Sequence, residues 1–156
     1  MAKLTFYGAT AGVTGSAYLL ETAQSTVLLE CGLIQGTREE EQGNDTPFPF
    51  DINQLDAVVL SHAHLDHSGL LPRLVHEGFS GPVICTSATA ELLEVMLKDA
   101  VGLYLRDLER DNRRRARRGG EPEDPVYTEE DVEEVLRRCQ GRPYGEPVPL
   151  GPNGAV

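Results

Sequence analysis

Four side chains able to ligate a metal fall within six residues, His62-Ala63-His64-Leu65-Asp66-His67. Imidazole and carboxylate donors suit zinc, manganese or iron, whereas calcium prefers all-oxygen sites. Two apart, His62 and His64 can point the same way from a strand end or a tight turn. Asp66 and His67, being adjacent, are expected to project in different directions. One loop can then serve two ions a few ångströms apart, the arrangement that clamps both oxygens of a displacement. A lone histidine in a loop is ordinarily a polar surface residue. His76, on an expected helix with no partner nearby, is read that way. Three histidines and an Asp packed this closely would repel one another on protonation with no structural benefit, so the cluster reads as a metal site.

The elements around the cluster suit that purpose. It follows Ala57-Val58-Val59-Leu60, a continuous apolar run expected of a strand buried on both faces. The C-terminal strand edge of an α/β sheet is where ligands are commonly presented. Ser68-Gly69 allows a sharp departure into a short helix over 70–77, with Pro72 in its first turn. A further buried strand is expected at 82–86. After it, Leu93, Met96, Leu97, Ala100, Val101, Tyr104, Leu105 and Leu108 mark one face of a long helix. Ser87 is its expected N-cap, with Glu91 near the positive end of its dipole and Glu94 and Lys98 as an i,i+4 pair. Gly119-Gly120 and the Pro122 and Pro125 region end it. A second helix opens on Thr128 and Asp131 as a capping box, with Val132, Val135, Leu136 and Cys139 as its apolar stripe. Upstream, runs at 4–7, 17–20 and 26–29 read as strands. Segment 36–51, with Pro47 and Pro49, is an expected loop, and 141–156 shows no element. The glycine-rich segment 8–16 lacks the Gly-Lys-[Ser/Thr] ending and GxGxxG spacing of a phosphate loop. A tight turn beneath the metal site is expected there instead. Strands first, then strand–helix–strand–helix, point to a sheet covered on one face by helices.

Bulk properties exclude several classes. No run approaches the roughly 18 apolar residues of a membrane helix, and the start lacks the layout of a secretory signal. The expectation is a cytoplasmic protein. Cys31, Cys85 and Cys139 form no CxxC pair and are read as reduced thiols in apolar surroundings. The net charge of −11 argues against binding nucleic acid over the whole surface. Yet seven of the 14 basic residues lie between 106 and 118, and 113–118 contains no acid. Arg113, Arg114, Arg115, Arg117 and Arg118 are therefore either a solvated helix end or a track for a nucleic-acid backbone.

The pattern His62-x-His64-x-Asp66-His67 resembles the HxHxDH motif of the metallo-β-lactamase superfamily. Beyond it, Phe6-Tyr7-Gly8-Ala9 with Gly12 and Gly15-Ser16, then Leu28-Leu29-Glu30-Cys31-Gly32-Leu33, resemble the β-CASP branch of RNA- and DNA-processing nucleases. So do Asp56 through His62, Ser68 through Pro72, Gly81-Pro82-Val83, and Tyr127-Thr128-Glu129-Glu130-Asp131. The resemblance covers nearly the whole chain. It implies an α/β fold, the N-terminal half of an αββα sandwich with a mixed sheet covered by helices. It also implies two zinc ions per complete active site. His62 and His64 would bind one ion, Asp66 and His67 the other, with a bridging water or hydroxide as nucleophile. Asp66 would be catalytic, orienting that nucleophile and relaying its proton. His64 favours zinc hydrolases, since the iron-containing branch has Glu at that position. Glu30 stands where the family has Asp and would support the metal loop from behind.

The family places further ligands on later strands, and no histidine follows His76. Residues 1–156 are therefore expected to be a partial domain, with sheet, metal loop and helix over about 1–105 and an Arg-rich helix end, second helix and irregular tail over about 106–156. By the resemblance the downstream half and the β-CASP domain are absent. The expected piece binds metal poorly, is weakly active or inactive, and leaves an apolar sheet face or edge uncovered. The leading functional expectation is a metal-dependent phosphodiesterase that hydrolyses RNA by a zinc-bound hydroxide. Expected partners are RNA, single-stranded DNA second and a homodimer allowed, with no membrane. The rivals are a thioester or lactam hydrolase of the same fold and a non-catalytic RNA-binding relative.

Overall fold

A computed structural model describes residues 1–150. Six strands form one mixed sheet in sequence order: β1 (Lys3–Phe6), β2 (Tyr18–Glu21), β3 (Thr26–Leu29), β4 (Ala57–Val59), β5 (Val83–Thr86) and β6 (Cys139–Arg142). The first three strands pair antiparallel through short connections, and the last three join β3 in parallel. Parallel pairs need long crossovers. Helices supply them: α2 (Leu65–Ser68) and α3 (Leu71–His76) between β4 and β5, then α4 (Ser87–Ala116) and α5 (Glu129–Arg138) between β5 and β6.

Register decides which side chains meet the helices. Leu19, Leu28, Val58 and Val83 stand side by side across the sheet. They join Leu93, Leu97 and Val101 of α4 and Val132 and Val135 of α5 in one buried core. Period-two alternation turns Phe6, Tyr18, Leu29 and Val59 to the opposite face. None of these four belongs to the helix-packed core, and Phe6 is 57% exposed. The expected mixed sheet covered by helices is the observed one. No helix among the described residues is long and apolar enough to cross a membrane.

Several local expectations need correction. Thr86, not Ser87, caps α4, its side chain accepting from the Thr89 N–H at 3.1 Å. The 36–51 loop contains α1 (Arg38–Glu41), opened by a Thr37–Glu40 capping box, and a 3₁₀ turn at Gln42–Asp45. Cys139 leaves the α5 stripe to start β6, a strand that falls partly on the expected helix and partly on the expected structureless tail. Residues 151–156 of that tail lie outside the described residues. His76 does have a partner: its Nδ1 is 3.0 Å from Asp131 Oδ2, which also closes the α5 capping box through Thr128. The pair ties α3 to α5. The three cysteines are free thiols, Cys31 and Cys85 buried and Cys139 half-buried.

Candidate metal centre

Helix α2 is one turn long, too short to satisfy its own carbonyls. Backbone N–H groups from the segments flanking β2 and β3 do so. Ser16 donates to the Asp66 carbonyl at 2.9 Å, Cys31 to that of His67 at 2.8 Å and Leu33 to that of Leu65 at 2.8 Å. The return contact runs from the Leu70 N–H to the Cys31 carbonyl at 3.0 Å. The glycine-rich turn thus ends beneath the ligand cluster. Gly32 makes the close approach possible. A Cβ there would lie 1.8 Å from the Asp66 carbonyl oxygen and 2.7 Å from the Ser16 nitrogen. At the other end, the Ser68 hydroxyl, fully buried, donates to the Ala63 and His64 carbonyls at 3.1 and 3.0 Å.

On this clamped turn the side chains converge. The His62 ring centroid lies 4.7 Å from that of His64 and 4.2 Å from that of His67. Asp66 and His67 do not diverge as their adjacency suggested; Asp66 Oδ2 and His67 Nε2 face each other at 3.5 Å. That gap is long for a hydrogen bond. It matches the roughly 3.4 Å between two ligands that are each about 2.1 Å from a tetrahedral zinc. His67 presents its other nitrogen, Nδ1, to Glu30 Oε2 at 3.3 Å, and both atoms are buried without a hydrogen-bond partner. Glu30 Oε1 accepts from the Ser61 N–H at 2.9 Å. Its backbone sits at φ +62°, a left-handed conformation that an L residue rarely adopts. The carboxylate lies under the loop, bonded to Ser61 and facing His67. Ser61 Oγ lies 2.9 Å from His62 Nδ1. Nδ1 of His62 is thus bonded to Ser61 and Nδ1 of His67 faces the Glu30 carboxylate, which leaves Nε2 of each ring for a ligand.

The donor chemistry and the Asp66–His67 gap fit a borderline divalent ion. No group of three or more His, Cys, Asp or Glu among the described residues is arranged to hold a metal ion. Burial pushes the thiol of Cys31, behind the loop, well above the ordinary value, with a smaller lowering from Arg73. Sequence reading missed the supporting parts, Ser16, Ser61 and the 31–33 backbone. Backbone donors carry no residue-type signal, and only the resemblance, through Gly15-Ser16, Cys31-Gly32-Leu33 and Asp56 to His62, pointed there.

The arginines are elsewhere. The long helix starts beside the metal loop, because β4 and β5 end at one sheet edge. Arg113, 26 residues after Ser87 by sequence, then lies about 39 Å along the axis at 1.5 Å per residue. Arg113 pairs with Glu109 at 3.6 Å, Arg114 with Asp111 at 3.4 Å and Arg115 with Glu123 at 2.7 Å. Asn112 and Glu123 exchange two further bonds of 2.8 Å, folding the acidic return segment back onto the helix. Arg117 and Arg118 form no ion pair among the described residues.

Residues 10–152 match the family model described as the Metallo-beta-lactamase superfamily. The chain is 43% identical to Ribonuclease TTHA0252 of Thermus thermophilus over 96% of its own length and 30% of that relative's. It is 31% identical to the Transcription termination factor FttA of Cenarchaeum symbiosum over 97% of the chain and 22% of the relative. With FttA of Methanothermobacter thermautotrophicus it shares 39% identity over 68% of the chain and 17% of the relative. The chain thus spans less than a third of the length of these relatives.

Proposed function

This chain belongs to the metallo-beta-lactamase superfamily, whose members bind divalent metal, and from that premise we propose that it serves a metal-dependent ribonuclease. The observation that carries the reading is the clamped turn, where His62, His64, Asp66 and His67 crowd together with their supporting groups on the far side. The name of the ribonuclease relative supplies the substrate class. The four side chains are the proposed ligands of zinc, two ions in a complete site, with remaining donors coming from other residues. When bound, such ions polarise a phosphoryl group and lower the pKa of water. Asp66, its carboxylate against His67 Nε2, is the proposed proton acceptor and orienting group. Glu30 fixes the His67 ring, and Ser61 fixes that of His62. RNA is the proposed partner, and the reading places the protein in the cytoplasm. Arg117 and Arg118, without acidic partners among the described residues, are better placed to meet a phosphate backbone than Arg113, Arg114 and Arg115.

Zinc titration by calorimetry tests the metal reading. We expect binding by the wild-type chain that His62→Ala and Asp66→Ala each weaken at least tenfold. Absence of zinc binding at millimolar metal overturns it. Labelled RNA and a thioester or lactam substrate, each assayed with and without chelator, test the substrate class. At most weak, chelator-sensitive hydrolysis confined to RNA is expected of this chain, and hydrolysis confined to the small molecules overturns the RNA assignment. Alanine at Arg113, Arg114 and Arg115 together should weaken RNA binding and flatten its salt dependence less than alanine at Arg117 and Arg118.

A further inference from the structure

Beside the metal centre lies a cleft of about 770 Å³, bounded by the turn after β1, segment 46–50 and the start of α3. The ligand cluster and the arginine helix end do not line it. It shares one wall with the metal centre, the chain at Gly15, Ala17 and Gly32, around the Ser16 N–H that holds the Asp66 carbonyl. Three aromatic rings face it. Tyr7 and Phe50 have centroids 5.5 Å apart, and Phe48 and Phe50 5.4 Å apart. Tyr7 is 38% exposed. Arg73, 5% exposed, forms the floor with its guanidinium 5.0 Å from the Phe48 ring centre. Its Nε donates to Glu77 Oε1 at 2.6 Å and its Nη1 to the Asn44 carbonyl. The hydrogen bonds of Arg73 use Nε and Nη1, and none from Nη2 is seen among the described residues.

Charge selects the ligand. Glu77 neutralises Arg73, and Glu40, the carboxylate at the rim, is committed to the Thr37 N–H and hydroxyl at 2.7 and 2.8 Å. A phosphate entering here would lose water without meeting an uncompensated cation. A flat, neutral group with a π face and a carbonyl acceptor would meet the rings and the spare donor together. Nucleobases have that chemistry, and single-stranded RNA offers them unstacked. We propose that this cleft is a nucleobase subsite, in which one base of a single-stranded RNA stacks on Tyr7, with the tilted Phe50 ring against its edge, while Arg73 Nη2 donates to a ring carbonyl. The proposal rests on the ribonuclease reading and adds a grip on the strand next to the metal loop, with the phosphates left outside. Uracil, like cytosine and guanine, carries a ring carbonyl and adenine does not, so the subsite favours uridine over adenosine.

Fluorescein-labelled oligouridine and oligoadenosine dodecamers, titrated into the chain under chelator and followed by anisotropy, test this. Tyr7→Ala should weaken oligouridine binding about tenfold, within the range of one lost stacking contact, and leave the salt slope unchanged. Phe50→Leu should do the same, with circular dichroism confirming the fold of each variant. Arg73→Lys keeps the charge beside Glu77 but not the planar fork, and should lower the preference for uridine over adenosine. If wild type, Tyr7→Ala and Phe50→Leu bind oligouridine equally, the subsite is refuted while the RNA reading stands. If the wild-type chain binds neither oligonucleotide, both fail.

Discussion

Residues 61–69 and residues 106–125 each concentrate polar side chains, and they are held in place by opposite means. In the metal loop, backbone donors at Ser16, Cys31 and Leu33 grip three carbonyls, and a buried Glu30 braces the ring of His67. Along α4, full burial stops after Val101, Tyr104 and Leu105 still pack partly against the core, and the end beyond them carries ion pairs between side chains that are mostly more than half exposed. Tyr104 and Tyr127 mark the border, stacked at 4.7 Å, with the Val126 N–H donating to the Tyr104 hydroxyl at 2.9 Å. Ligand chemistry requires positions good to about half an ångström, and only the first kind of support supplies that. A charged surface that meets a flexible polymer tolerates the second.

The comparison breaks most directly at Gly32. A Cβ there meets backbone, not a movable side-chain tip, so Gly32→Ala must push the metal loop off the β3 end. Destabilisation of about 3 kcal/mol or more is expected, read by urea denaturation, together with loss of zinc binding. Unchanged stability would mean that the clamp is slack. Glu30→Gln comes next. The amide can still accept from Ser61 but no longer offers charge to His67, and supporting groups of this kind typically contribute 10–100-fold to metal affinity. Calorimetry should show at least a tenfold loss with little change in unfolding. Equal losses of both would make Glu30 merely structural.

At the border, burial pushes the Tyr127 phenol up to about 12, with a smaller push from Tyr104. Its folded value is thus above the unfolded value near 10. The unfolded state loses this proton first as pH rises, so stability declines between about pH 10 and pH 12 and is unaffected by this group below that range. The decline attributable to Tyr127 is about 2 kcal/mol. Tyr127→Phe should flatten that part of the alkaline stability profile; an unchanged slope would show that the stack is not the last firm anchor of α4.

These regions are unequally legible in the sequence. The ligand hexapeptide is local and needs no fold to be seen. The α4 face is readable because Leu93, Leu97 and Val101 recur at helical spacing, and they are its buried apolar positions. The edge strand β6 is not, since Cys139-Gln140-Gly141-Arg142 is mostly exposed and is held by pairing with β5 instead of by apolar burial. The His76–Asp131 contact joins residues 55 apart and leaves no pattern in the chain. Adjacency alone suggests that Asp66 and His67 diverge; the helical turn brings these neighbouring long side chains round to a common point. For the arginines, the run at 113–118 is free of acids, but Glu123 returns from beyond Gly120 to cover Arg115.

That last contact gives the smallest effect and the sharpest form of the contrast. Arg115 and Glu123 lie 2.7 Å apart, yet their side chains are 46% and 56% exposed. Water and salt screen such a pair, and two long side chains lose rotamer freedom in making it, so the coupling should be at most about 1 kcal/mol. A double-mutant cycle of Arg115→Ala and Glu123→Ala in urea denaturation should return a few tenths of a kcal/mol, falling further at about 1 M salt where the Debye length is near 3 Å. The bonds from Asn112 to the Glu123 backbone remain in all four proteins, so the return segment need not detach when the charges go. A coupling well above that bound would mean that this end is as firmly built as the metal loop. The two regions would then no longer differ in kind, and the arginines would have to be read as structural parts instead of a surface free to meet RNA.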